Sequence, residues 1–315
     1  MSARSAARLL AVLCAAAALG GCGVGPGEGP QAGVKLTVTR DFGSRPLLER
    51  DRLQVADADT VMRVLQRNAE VRTRFGGDFV QSIEGVAGGR RDGRPVDWFL
   101  YVNGILAERG ASAVRLRGGD RVWWDHHDWG LTPDVPAVVG SFPEPFLHGS
   151  AGRRLPVRVE CEDPRAAACD AVAGKLISLG IPAGRSEIGG SAADDTLRVL
   201  VGPWSRLRGR DAEADSLDRG PRSSGVYARF DAASATRLTV LDPRGRAART
   251  LGAGTGLIAA TRAVERQPVW FVTGTDAAGV DSAARAFDES ALNDRFALAI
   301  SRDLPVGVPL QEGAR

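Results

Sequence analysis

The stretch from Asp97 to Trp129 constrains this chain more than any other. It holds four of the six tryptophans (Trp98, Trp123, Trp124 and Trp129) and two of the three histidines, His126 and His127. Trp98–Val102 is an unbroken apolar run ended by the turn pair Asn103-Gly104. Arg121–Trp124 is a second run, opened by Gly118-Gly119-Asp120. Asn-Gly accepts the positive φ of a tight hairpin, so both runs read as strands. With a period of two, Phe99 and Tyr101 fall on one face, and Trp98, Leu100 and Val102 on the other. Rings this dense must either build a core or line a ligand surface.

The sequence before this stretch reads as the rest of a small α+β sheet domain, residues 34–129. Val34, Leu36 and Val38 alternate with Lys35, Thr37 and Thr39, the pattern of a half-buried strand. Asp59 or Thr60 caps a helix whose apolar positions are Val61, Val64, Leu65 and Ala69. Phe79–Ile83 is a further strand candidate, and Gly85–Pro95 a loop rich in Gly and Arg. A sheet with one helix buries only one face well. Some of its aromatics therefore stay open to a planar ligand, a sugar or a peptide unless the rest of the chain covers them.

Residues 130–154 carry Pro133, Pro136, Pro143 and Pro145 without sustained periodicity and read as a linker or an extended wrap. Residues 155–304 have α/β texture. The patterns predict strands at 155–161, 197–201, 226–230, 237–241, 269–273 and 296–300, with helices at 164–179, 255–265 and around 280–287. Strands alternating with helices imply a layered α/β domain with a mixed sheet. Residues 305–315 read as a tail.

The order strand, Thr-Val helix, Ser82-Ile83-x-Gly85, Trp98–Gly104 and Gly119–Trp124 resembles the transcobalamin-like C-terminal domain family, DUF4430, over Val34 to Trp129. The resemblance implies a β-grasp-like fold and a non-enzymatic role. In transcobalamin and intrinsic factor the corresponding domain covers one face of cobalamin, and many bacterial members are surface or lipid-anchored proteins. This chain carries no counterpart of transcobalamin's α-helical toroid.

The first residues predict an address. Arg4 and Arg8 precede the apolar run Leu9 to Leu19, which is too short to span a bilayer. Leu19-Gly20-Gly21-Cys22 resembles the lipobox of bacterial lipoproteins, which implies a signal peptide over residues 1–22, lipidation at Cys22 and a flexible Gly/Pro-rich tether over residues 23–33. Cys161 and Cys169 are then the remaining pair, and an oxidising compartment makes a disulfide between them the default.

Other chemistry finds little support. The net charge is +3 and the 41 basic residues are interleaved with 38 acidic ones, so nucleic-acid binding has no footprint. Asp125-His126-His127-Asp128 invites a metal, but adjacent histidines in a strand point to opposite faces, and the run reads as a polar strand end. The glycines of Gly252-Ala253-Gly254-Thr255-Gly256, ahead of the predicted helix, resemble a phosphate-cradling loop without a preceding strand or a Gly-Lys-Ser/Thr sequence. No nucleophile motif accompanies the three histidines, and nothing selects a pair among the many carboxylates.

The expectation is therefore a lipid-anchored extracytoplasmic protein, without enzymatic activity or a resident cofactor. It captures a small ligand, a corrinoid by resemblance, for a transporter. The candidate ligand residues are Trp98, Tyr101, Asn103, Trp123, Trp124, His126, His127 and Trp129. The alternative is a structural or protein-interaction module of the cell envelope without a small-molecule ligand.

Overall fold

The computed structural model describes residues 33–74, 77, 79–150, 152–189 and 194–311; the apolar run, Cys22 and most of the tether lie outside them. The first part holds β1 (Val34–Arg40), β2 (Arg45–Leu53), α1 (Val61–Asn68), β3 (Val71–Arg74), β4 (Phe79–Ile83), β5 (Val86–Ala87), β6 (Gly89–Arg91), β7 (Arg94–Val102), β8 (Ile105–Leu106) and β9 (Arg121–Asp128). Its main sheet runs β2-β1-β9-β7-β6, with β8 paired to β7, and β3-β4-β5 form a separate small sheet. The central β1–β9 pair is parallel, with Thr37 opposite Trp123 and Val38 opposite Trp124. This parallel pair flanked by antiparallel neighbours, with one crossing helix, is the α+β sheet expected from the sequence.

Helix α1 starts where predicted. Thr60 is its N-cap and accepts from the Arg63 amide at 3.4 Å. Asp59 grips Arg67 with two bonds of 2.7 and 2.8 Å, and this pairing, with the Ala56 amide, holds its carboxyl down at about 2. Val61, Val64 and Leu65 are buried against Val34, Leu36, Val38, Leu100, Val122 and Trp124. The apolar stripe of the helix thus closes one face of the sheet.

The second part holds β10 (Val157–Cys161), α2 (Ala167–Ser178), β11 (Ala183–Glu187), β12 (Leu197–Pro203), α3 (Trp204–Leu207), α4 (Ala212–Arg219), α5 (Pro221–Ser224), β13 (Ala228–Phe230), β14 (Leu238–Leu241), β15 (Ala247–Leu251), β16 (Gly256–Thr261), β17 (Val269–Gly274), α6 (Ala277–Arg285), α7 (Glu289–Leu292), β18 (Ala297–Ser301) and β19 (Leu304–Val308). Seven strands form a sheet in the order β11-β10-β12-β17-β16-β18-β19, and β13-β14-β15 make a second, three-stranded meander. Strands β11, β10, β12 and β17 are parallel; β16, β18 and β19 join antiparallel. The expected mixed α/β sheet is present.

Three predicted elements differ. Residues 85–95, read as a loop, carry the short strands β5 and β6 and the start of β7. Residues 256–261 form the interior strand β16, not a helix, and all six are buried. Leu257 and Ala259 face one core while Ile258 and Ala260 face the other. A strand covered on both sides shows no alternation, and its alanines imitate a helical run. The edge strand β19 takes Leu304 and the first four residues, 305–308, of the expected tail; Val306 and Val308 are buried there. Shorter adjustments trim helix α2 to Ala167–Ser178, because Pro164 and the preceding turn lie outside it.

The faces of the seven-stranded sheet are covered differently. Helices α2 and α6 pack on one side through Val172, Leu176, Val280 and Ala283, joined there by Phe142 and Phe146 from the proline-rich segment. The other side meets the meander and the first part's sheet in one continuous core that joins Tyr101 and Trp123 to Leu200, Phe271 and Phe296.

Candidate functional site

The structure distributes the eight expected ligand residues over both faces of the first sheet, and it buries all but one. Trp98, Trp124 and His126 lie on the face closed by α1. Trp98 donates from Nε1 to the Val86 carbonyl at 2.9 Å. The His126 ring lies 5.0 Å from the Trp98 ring, with Nε2 3.1 Å from the Ala87 carbonyl. Burial pushes the His126 imidazole below its usual value and keeps it neutral at pH 7.

Tyr101, Trp123 and His127 point the other way, into the junction with the α/β part. The two histidines diverge as strand geometry requires. Phe296, from the segment before β18, meets Tyr101, Trp123 and His127 edge-on, with ring centroids 5.6, 5.2 and 5.3 Å away. His127 is held between Phe42 and Phe99, at 4.5 and 4.2 Å. These rings form no open ligand surface: the expected aromatic binding face is an interior, because the α/β part supplies the cover that the sheet lacks.

A carboxylate organises this interior. Asp125 is fully buried, and its two oxygens satisfy four donors. Oδ1 accepts from the Phe42 amide at 3.0 Å and lies 2.7 Å from His127 Nδ1. Oδ2 accepts from Thr39 Oγ1 at 2.5 Å and from the Gly43 amide at 2.8 Å. Trp123 Nε1 in turn donates to Thr39 Oγ1 at 2.8 Å. The two amides converge because Asp41, Phe42 and Gly43 all adopt left-handed conformations, with φ of 55, 59 and 79°. An aromatic residue rarely adopts this region, and the Asp125 bonds hold it there. Glycine is required at 43: a Cβ there would lie 2.0 Å from the Asp294 carbonyl oxygen across the junction.

Asn103 fastens the proline-rich segment to the sheet. In the left-handed Asn103-Gly104 turn its Nδ2 donates to Asp120 Oδ1 at 2.8 Å and to the Gly149 carbonyl at 3.0 Å, while Oδ1 accepts from the Arg121 amide at 2.8 Å. Trp129 is 39% exposed, outside the buried set. Cys161 and Cys169 are bonded, with Cα atoms 6.0 Å apart, tying the end of β10 to the first turn of α2. Cys22 lies outside the described residues. In the glycine loop before β16, Asp276 Oδ2 already accepts from the Gly254 amide at 2.8 Å, so a protein carboxylate occupies the place where a phosphate would bind.

Phe42, Phe296 and Tyr227 belong to this interior without having been expected there. Phe42 had a faint signal, as an aromatic inside a polar turn before a glycine. Phe296 and Tyr227 had none, because their roles depend on the docking of two parts distant in sequence.

Residues 58–128 match the family model described as "Domain of unknown function (DUF4430)". The match begins after β1, yet β1 is hydrogen-bonded at the centre of the same sheet, so the structural unit reaches back to Val34. No curated protein matches the chain. Among solved structures, a crystal structure described as that of a "putative metal binding protein" from Ruminococcus gnavus is 16% identical; the alignment covers 31% of this chain and 97% of that one, with a TM-score of 0.25. A likeness at that score carries no argument.

Proposed function

Because residues 58–128 form a DUF4430 domain, we propose that this chain is a non-catalytic, lipid-anchored protein of the extracytoplasmic envelope in which that domain acts as a docking module. Its aromatic face engages protein, here its own α/β part, and takes no corrinoid or other flat solute. One observation carries the reading: Tyr101, Trp123 and His127 are covered by Phe296 and Phe42 and are no more than 2% exposed. A planar ligand entering there would have to displace an interface built around a fully hydrogen-bonded carboxylate. The lipobox-like Leu19–Cys22 and the glycine-rich tether support the address and suit a rigid two-part body held off a membrane.

Titrating cobalamin or cobinamide while following tryptophan fluorescence tests the first half. Docking predicts no saturable quenching at micromolar ligand; saturable quenching abolished by Trp123→Phe would return the face to ligand capture. Metabolic labelling with a fatty acid tests the second half, with label expected on the full chain and lost in Cys22→Ser.

A further inference from the structure

Above the buried interface, at the open end of the junction, lies a cleft of about 450 Å³ walled by the β1–β2 and β6–β7 hairpins and by the Asp242–Arg244 turn of the α/β part. Its lining is unlike the aromatic interior beneath it. Five guanidinium groups (Arg40, Arg45, Arg91, Arg94 and Arg244) face four carboxylates, and three of the carboxylates already have partners. Asp41 is shared by Arg91 and Arg45, Asp128 pairs with Arg94, and Asp242 accepts from the Arg244 and Arg246 amides.

Donors remain in excess. Arg40 Nε and Gln311 Nε2, both from residues lining the cleft, are buried and have no acceptor. A buried donor without an acceptor costs roughly 1–3 kcal/mol, and two of them on residues lining one cleft call for an acceptor-bearing guest. Guanidinium forks match carboxylate and phosphate oxygens in geometry as well as in charge.

We propose that this cleft binds a small oxyanion carrying a carboxylate or phosphate group, with Arg40 as its principal fork and Arg45 and Arg94 as flanking contacts. The recessed position of Arg40 Nε favours a small free anion over the headgroup of a flat bilayer. The site shares Phe42 with the aromatic docking face but is built from different polar groups, and it stands whether or not that face takes a ligand.

Isothermal titration of the full chain in detergent at low salt, with citrate and in parallel with inorganic phosphate, tests the proposal. A single saturable site for at least one of the two is expected, weakening as salt rises. Arg40→Gln should weaken it about tenfold, with Arg40→Lys between the two. Arg45→Gln, on an exposed side chain whose change leaves the fold alone, should weaken it about threefold. Arg262→Gln, which breaks the distant pair with Glu108, should leave it unchanged. No saturable heat up to about 10 mM of either anion overturns the proposal. So does wild-type affinity in both the Arg40 and Arg45 variants. Binding to phosphatidylglycerol vesicles without binding of either free anion also overturns it, in favour of a membrane contact.

Discussion

The two faces of the first part's main sheet are both buried, but by different means. The inner face joins Leu36, Val38, Leu100, Val122 and Trp124 to the apolar stripe of α1, and its polar bonds, such as Trp98 Nε1 to Val86, sit at the margin. The outer face places a carboxylate, an imidazole and a hydroxyl amid rings and meets a different part of the chain. Apolar packing tolerates swaps that conserve volume, whereas four directed bonds to Asp125 accept one arrangement only. The inner face therefore makes the domain, and the outer face fixes where the domain sits.

Breaking the Asp125 network should give the largest effect. Asp125→Ala strands two backbone amides, the His127 ring and the Thr39 hydroxyl in a dry interior, for a loss of about 5 kcal/mol. Urea unfolding would measure it; a loss below about 1 kcal/mol would refute an organising role for the carboxylate. Phe296→Ala removes the ring that touches Tyr101, Trp123 and His127, and should cost about 3–4 kcal/mol. It should also expose the outer face to a hydrophobic dye while leaving the inner face closed. Equal dye binding by wild type would mean the junction is open in solution.

The disulfide provides a reference remote from both faces. Its closed loop is short, with a sequence separation of 8, so replacing both Cys161 and Cys169 by Ser should cost about 2.5 kcal/mol. Because one core cluster runs through both parts, the loss should appear in a single unfolding transition. Two separate transitions would show that docking adds little to either part.

Much of this was legible in the sequence, and the limits are physical. Alternation along Val34–Thr39 and Trp98–Val102 placed each side chain on its correct face, because each strand has neighbours of distinct chemistry on its two sides. Asn103-Gly104 marked its hairpin because few residues accept that turn. Strand β16 was hidden by the symmetry of its burial, and the tail by the shortness of an edge strand. What covers the outer face could not be read locally, since Phe296 lies far from Trp123 in sequence and no periodicity links them. The cleft left a weak trace: Arg40-Asp41 and Arg91-Asp92 each open a glycine-containing turn, and only the fold brings the two turns together.

The smallest effect concerns the clasp beside the outer face. Glu144, nearly fully buried in the proline-rich segment, accepts from the His148 amide at 2.8 Å and lies 2.5 Å from His148 Nδ1. The ring sits over Gly119, where a Cβ would fall 2.5 Å from Cε1. The Glu144 bond raises the imidazole pKa against the opposing effect of burial, with Asp120 adding to the rise and Arg154 opposing it. A histidine whose folded value is raised contributes its full stabilisation below the unfolded value of about 6.5 and loses it as pH rises through the folded value. Wild type should therefore exceed His148→Gln in stability by the largest margin at about pH 6, with the margin shrinking towards alkaline pH. The side chain is 33% exposed, so solvent screening keeps the difference under about 1 kcal/mol. Paired unfolding curves across that range would show it. A margin that grows with pH would mean that burial, not Glu144, governs the ring.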